Sequence, residues 1–146
     1  SSSAATAQIV GVASVIDGDT IEIHNVRIRL HGIDAPESRQ LCTRTTGERW
    51  RCGQQASLAL SDQIGRSTVS CDPRDTDRYG RTVAVCRAEE VDLGRAQVVA
   101  GHAVAYGAYY QDEAAARAAR RGLWAGEFMR PREWRDRHRT TPAPEN

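Results

Sequence analysis

Asp17-Gly18-Asp19-Thr20-Ile21-Glu22-Ile23 followed by Val26-Arg27-Ile28-Arg29-Leu30 is the stretch that decides the architecture. Its apolar residues recur every second position, the period of a strand with one buried face. Ile21, Ile23, Val26, Ile28 and Leu30 are therefore expected to face a core, with Arg27, Arg29 and His31 on the opposite side. Upstream, Gln8 to Ile16 reads as another strand. Downstream, Gly53 to Ile64 fits a helix with Ala56, Leu58, Ala59, Leu60 and Ile64 clustered, ended by Gly65. Strands follow at 67–71 and 82–87. Asp92 is a candidate N-cap for a second helix ending near Gly101, with Leu93, Ala96, Val99 and Ala100 at helical spacing. A third helix is expected from Gln111 to Arg121, with Gly122 as its stop. Helices that are not interleaved with strands in a regular βαβ pattern argue for an α+β fold, a small β-barrel with peripheral helices, over a doubly wound sheet.

A length of 146 residues suits one domain. The organisation expected is a flexible segment at 1–7, a single domain at 8–139 and a disordered tail at 140–146. With 40% hydrophobic and 27% charged residues the composition is that of a soluble globular chain. No apolar run approaches the roughly 18 residues of a membrane span. All 20 basic residues are Arg, and against 19 acidic ones they leave a net charge of +1, so no overall basic field exists and any anion site must be local. Arg130 to Arg139 reads as a solvated charged face, and Trp124 and Trp134 as packing for the last helix. The small polar start, Ser1 to Ala7 without Met, fits a secreted or periplasmic product whose export signal has been removed.

Cysteines stand at 42, 52, 71 and 86. The turn-rich stretch from Asp72 to Gly80 between two alternating segments folds Cys71 opposite Cys86. Cys42 and Cys52 then bracket a polar loop, so the pairs expected are Cys42–Cys52 and Cys71–Cys86, each worth about 3 kcal/mol on the loop-entropy model. A zinc site is disfavoured because no C-x-x-C pair is present. The disulfides argue for an oxidising compartment.

Asp17 and Asp19 share one side of an extended segment, and Asp34-Ala35-Pro36-Glu37 adds two carboxylates after the next strand. Such a cluster raises its own pKa values unless a cation neutralises it, and oxygen ligands favour Ca2+ or Mg2+. An EF-hand fails: counted from Asp17 its sixth and twelfth positions are Glu22 and Ile28, and counted from Asp75 the twelfth is Cys86. Taken alone, Asp17 to Thr20 is a plain turn. Arg29, and Arg81 at the tip of the second cysteine hairpin, convert the cluster into a mixed-charge pocket suited to a phosphodiester. His24, His31, His102 and His138 show no metal-ligand spacing.

These blocks, Asp17 to Ile21, Arg29-Leu30, Ile33 to Glu37 and Asp77-Arg78-Tyr79-Gly80-Arg81, together resemble the staphylococcal nuclease (thermonuclease) family. The resemblance extends through Gly101 to Tyr106 and Arg121 to Trp124. It implies a five-stranded OB-fold barrel with three helices and a calcium-dependent nuclease acting on DNA and RNA, single strands preferred, leaving 3′-phosphates. By the same resemblance Asp19, Asp34 and the Ala35 carbonyl would ligate Ca2+, with Asp17 in support. Glu37 would act as general base, and Arg29 and Arg81 would hold the phosphate. Arg78 and Tyr79 would meet a neighbouring phosphate, and Tyr106, or alternatively Tyr109 or Tyr110, would flank the nucleotide. A monomer is expected, with no membrane and no zinc. The chain departs from the pattern in a shorter hairpin between Ile23 and Arg29, in Cys86 and in the cysteine loop after Glu37, which is expected to border the cleft. The competing expectation is an inactive OB-fold module binding nucleic acid or oligosaccharide; the joint presence of Asp19, Arg29, Asp34, Glu37 and Arg81 weighs against it.

Overall fold

A computed structural model of the chain describes residues 7–139. The 140–146 tail and residues 1–6, where flexible ends were expected, lie outside them. In chain order the elements are β1 (Ile9–Gly11), β2 (Ser14–Asp17), β3 (Thr20–Ile23), β4 (Val26–Leu30), β5 (Ile33–Asp34), β6 (Cys42–Thr43), β7 (Arg49–Trp50) and α1 (Cys52–Ile64). They continue with β8 (Val69–Thr76), β9 (Thr82–Ala88), β10 (Val91–Asp92), α2 (Leu93–Val99), β11 (Val104–Ala105), α3 (Tyr110–Ala118), a 3-10 turn (Gly122–Ala125) and α4 (Pro131–His138).

The main sheet runs β1-β8-β9-β4-β3-β2, with β10 added on β9. The Gln8–Ile16 strand is broken at Val12-Ala13 into β1 and β2, which lie at opposite edges of the sheet: one pairs with β8, the other with β3. One bent segment thus serves both ends and the sheet curls, although its hydrogen-bonded path stays open. Its five long segments match the five expected strands. The helices do not match in number, because α4 is a fourth among the described residues, formed where a solvated face was expected.

Alternation is obeyed where strands are paired on both sides. Ile21, Ile23 and Ile28 are fully buried and Leu30 nearly so, packed with Leu60, Val69, Leu93 and Val98. Val26 departs from the expectation at 38% exposure. It follows the two-residue turn His24-Asn25, whose φ values of 51° and 67° suit a tight hairpin, and so sits at the tip, beyond the core. The β8–β9 hairpin registers Cys71 opposite Cys86, and both expected disulfides are formed. β8 runs further than expected, past Pro73 to Thr76 by a register shift, so the turn shrinks to Asp77–Arg81. The other cysteine loop holds a small hairpin, β6 with β7, where no period was visible.

Asp92 caps α2 as expected, accepting the Arg95 N–H. The third helix ends at Ala118, short of Arg121, because Arg120 and Gly122 adopt positive φ. Trp124 packs edge-on against Phe128 in a second cluster with Leu123, Val104 and the Cys42–Cys52 bridge. No helix among the described residues is long and apolar enough to cross a membrane.

Candidate active site

The β2–β3 turn is clamped from two sides. A Cβ on Gly18 would meet the Cβ atoms of Ala56 at 2.6 Å and Ala35 at 2.8 Å, so only glycine lets the turn lie this close to α1. Gln97 of α2, itself buried, donates from Nε2 to the Gly18 carbonyl (2.8 Å) and the Ala56 carbonyl (2.9 Å). Asp17 accepts the Asp19 N–H at 3.2 Å, and Asp19 is left 2% exposed. The β3–β4 register sets Thr20 opposite Arg29, which delivers the guanidinium to the same end of the sheet. One turn later β5, held by β11 through Val104, presents Asp34.

Arg29 sits between these carboxylates, donating from Nη1 to Asp19 Oδ2 (3.3 Å) and from Nη2 to Asp34 Oδ1 (3.1 Å) and the Ile33 carbonyl (3.3 Å). The Ala35 N–H donates to Asp19 at 2.8 Å, fixing that peptide beside the carboxylate. Burial pushes the Asp19 carboxyl up to about 6, with Arg29 pulling it down and Asp17 adding to the rise. Arg29 is held above the ordinary arginine value, since Asp19 and Asp34 outweigh the opposing effect of its own burial. Asp19 is therefore a buried carboxylate that Arg29 only partly compensates, and burial outweighs its carboxylate neighbour Asp17 as the cause.

Glu37 hangs on a loop fixed at both ends. Its N–H donates to Oε1 of fully buried Gln40 (3.2 Å), and Gln40 Nε2 donates to the Met129 carbonyl (2.7 Å) just before α4. Gly53 lies so near this loop that a Cβ would overlap the Glu37 carbonyl oxygen at 1.7 Å. Gly53→Ala is expected to cost about 2 kcal/mol or more in urea unfolding, the overpacking penalty, and to displace Glu37. An alanine variant as stable as the parent would show that this contact does not position the loop.

A further residue, absent from the sequence expectations, completes the cluster. Arg135 of α4 donates from Nη1 to Asp34 Oδ1 (3.0 Å) and Glu37 Oε2 (3.2 Å) and from Nη2 to Asp34 Oδ2 (3.2 Å). Its helix turns Pro131, Trp134 and Arg135 inward and the remaining residues outward, an i, i+3, i+4 face. That spacing was present in the sequence but obscured by the surrounding charge.

The structure thus brings Asp17, Asp19, Arg29, Asp34, Ala35 and Glu37 together. Arg81 is held apart from these carboxylates: Nε donates to Asp77 Oδ2 at 2.7 Å, while Asp77 Oδ1 accepts the Tyr79 and Arg81 N–H groups. Val83 of β9, two residues on, is registered with Arg29. Arg78 donates to the Tyr79 hydroxyl, and Tyr79 and Tyr106 are both more than half exposed. Tyr110 is equally open, whereas the Tyr109 hydroxyl is committed to Asp92 at 2.8 Å. The cysteine loop borders two open grooves, one of about 730 Å³ lined by Arg39, Leu41, Thr43 and Trp134, but neither is lined by Asp19, Arg29, Asp34, Glu37 or Arg81. Among the described residues no three His, Cys, Asp or Glu side chains gather to hold an ion by themselves. A cation here would rest on two carboxylates, with backbone, water or substrate oxygens supplying the rest.

The chain is 38% identical over 126 residues to the succinoglycan biosynthesis protein ExoI of Rhizobium meliloti (82% of this chain, 66% of that protein). Over 76 residues it is 43% identical to protein ParB of Escherichia coli (49% and 37%). It is 32% identical over 146 aligned residues to the micrococcal nuclease of Shigella flexneri (85% and 78%). The chain thus spans less than two thirds of the length of the first two. A family model described as staphylococcal nuclease homologue matches residues 27–126, from Arg27 through the 3-10 turn, taking in Arg29, Asp34, Glu37 and Arg81. With that match over more than half of its length, and the likeness to the Shigella flexneri nuclease over most of both proteins, the chain belongs to the staphylococcal nuclease homologue family.

Proposed function

We propose that the chain is a calcium-dependent nuclease that hydrolyses phosphodiester bonds of DNA and RNA, preferring single strands and leaving 3′-phosphate ends. The observation that carries this reading is the Arg29 guanidinium lodged between two buried carboxylates, Asp19 and Asp34. A mixed-charge pocket of this kind suits a hard cation and a phosphate at once. The donors fit Ca2+: they are oxygens, and Asp19 is a buried carboxylate only partly compensated by Arg29. Asp19, Asp34 and the Ala35 carbonyl would hold the ion, with Asp17 supporting Asp19 through its N–H. When bound, Ca2+ would supply Lewis-acid polarisation of the scissile phosphate.

The chain's own residues do the rest. Glu37 takes a proton from the attacking water, its loop held by the Gln40 hydrogen bond to its backbone. Arg29 grips the phosphate, and Arg81 joins it by exchanging its Asp77 carboxylate for a phosphate oxygen, so that both offset charge building there. Arg78 and Tyr79 meet the next phosphate, and the exposed Tyr79 and Tyr106 rings offer faces for unpaired bases, which supports the single-strand preference. The two disulfides support action outside the cytoplasm, in the periplasm or medium.

Purified protein incubated with single-stranded DNA or RNA and Ca2+ is expected to cut both, with products that accept a 3′-phosphatase and with no cutting in chelator. Intact substrate under Ca2+ would overturn the proposal.

A further inference from the structure

Asp34 accepts three guanidinium hydrogen bonds. Both of its oxygens are occupied, Oδ1 by Arg29 and Arg135 together and Oδ2 by Arg135, and its side chain is 6% exposed. The same Arg135 also holds Glu37. A cation approaching Asp34 therefore meets a guanidinium on each oxygen and competes with it for the carboxylate. Arg29 is poorly placed to leave: it lies in the middle of the sheet on β4, its side chain is 17% exposed, and it is bonded to Asp19 and to the Ile33 carbonyl as well. Arg135 is the outer group at 33% exposure. It is carried on α4, whose neighbouring attachments are the Gln40–Met129 hydrogen bond and the inward Pro131 and Trp134. The other arginines of that helix do not reach the site: Arg137 pairs with Glu133, and Arg132 is exposed.

We infer that Arg135 is a built-in counter-ion that closes the site, holding Asp34 and Glu37 until a divalent cation displaces it, so that cation binding and docking of α4 oppose each other. The inference rests on the calcium reading above. Its physical basis is that three carboxylates, Asp19, Asp34 and Glu37, share two guanidiniums, so removal of Arg135 leaves Asp34 and Glu37 undercompensated. A cation arriving there repairs the deficit. Because linkage is reciprocal, whatever α4 gains from docking Arg135 is lost from cation affinity. A purely structural ion pair would instead be lost to stability alone, with no effect on the cation.

The test is calorimetric titration of Ca2+ alone, without nucleic acid, into the parent, Arg135→Ala and Arg132→Ala; the last removes the same charge from the same helix without touching the site. Arg135→Ala is expected to bind Ca2+ about tenfold more tightly than the parent, and Arg132→Ala within about twofold. Thermal unfolding in chelator should show Arg135→Ala less stable than Arg132→Ala, with Ca2+ raising its Tm more. Should Arg135→Ala not fold, Arg135→Gln keeps hydrogen bonding without charge. Amide hydrogen exchange of the parent needs no variant: exchange over 131–138 should quicken when Ca2+ is added. Parent binding of Ca2+ with equal affinity in Arg135→Ala and Arg132→Ala, or unchanged exchange at α4, overturns the inference and leaves the calcium reading intact. Folded parent and Arg135→Ala that both fail to bind Ca2+ overturn the two together.

Discussion

Glu37→Gln is expected to lower turnover on single-stranded DNA by about 10²- to 10⁴-fold, the range in which a positioned general base contributes. Gln matches Glu in size and still offers Arg135 an acceptor, and Gln40 holds the backbone N–H of residue 37 whatever its side chain, so the loop has no reason to move. What the variant lacks is a group able to take the proton from water. Steady-state kinetics should therefore show kcat falling with KM little changed, while Ca2+-dependent nucleotide binding stays within a few-fold of the parent. Turnover within a few-fold of the parent would remove Glu37 from the chemistry.

Asp19→Asn should separate stability from function in the opposite sense. Burial raises the Asp19 carboxyl from its ordinary 3.8 to about 6, so folding favours its protonated form. The sign follows: the contribution is present in full below about pH 4, and is lost as pH rises through about 6 and the buried group must ionise. At pH 7 in chelator the parent carries a penalty of up to about 3 kcal/mol that asparagine escapes. Urea denaturation at about pH 4 and about pH 7 should show the variant gaining on the parent only at the higher pH, with activity abolished. A variant less stable at both would mean that Asp19 is not a strained carboxylate.

Much of this site could be seen in the residues before any coordinates. Ile21, Ile23, Ile28 and Leu30 announce their strands because each is paired on a sheet whose inner face is dry, and Val26 escapes the rule only because a two-residue turn precedes it. Cys71 and Cys86 find each other because a hairpin is a local object. Asp19, Arg29, Asp34 and Glu37 are close in sequence and lie on or beside successive strands, so they too were visible. Gln97, Gln40 and Arg135 were not. Gln97 bonds a residue 79 positions away, Gln40 one 89 away, and Arg135 meets Asp34 across 101. No periodicity encodes such contacts, and a buried amide looks in sequence like any polar residue of a helix or loop. Arg135 alone left a trace, in its spacing from Pro131 and Trp134. Arg81 is the reverse case: its motif was legible, but its bond to Asp77 was not, since either a phosphate or a neighbouring carboxylate satisfies the same guanidinium.

On the function proposed above, Asp19, Arg29 and Asp34 would hold a cation and a phosphate in one pocket, which would distinguish them from a knot of salt bridges. Two carboxylates and a carbonyl would leave most of a Ca2+ shell unfilled, so water and a substrate oxygen would complete it. Titration of Ca2+ by calorimetry, with and without a nucleotide 3′,5′-bisphosphate, measures that dependence directly. Ca2+ affinity is expected to be weak alone and to tighten about tenfold or more with the nucleotide, which by linkage must bind tighter by the same factor with Ca2+. Equal Ca2+ affinity in the two titrations would contradict a shared cation and phosphate site.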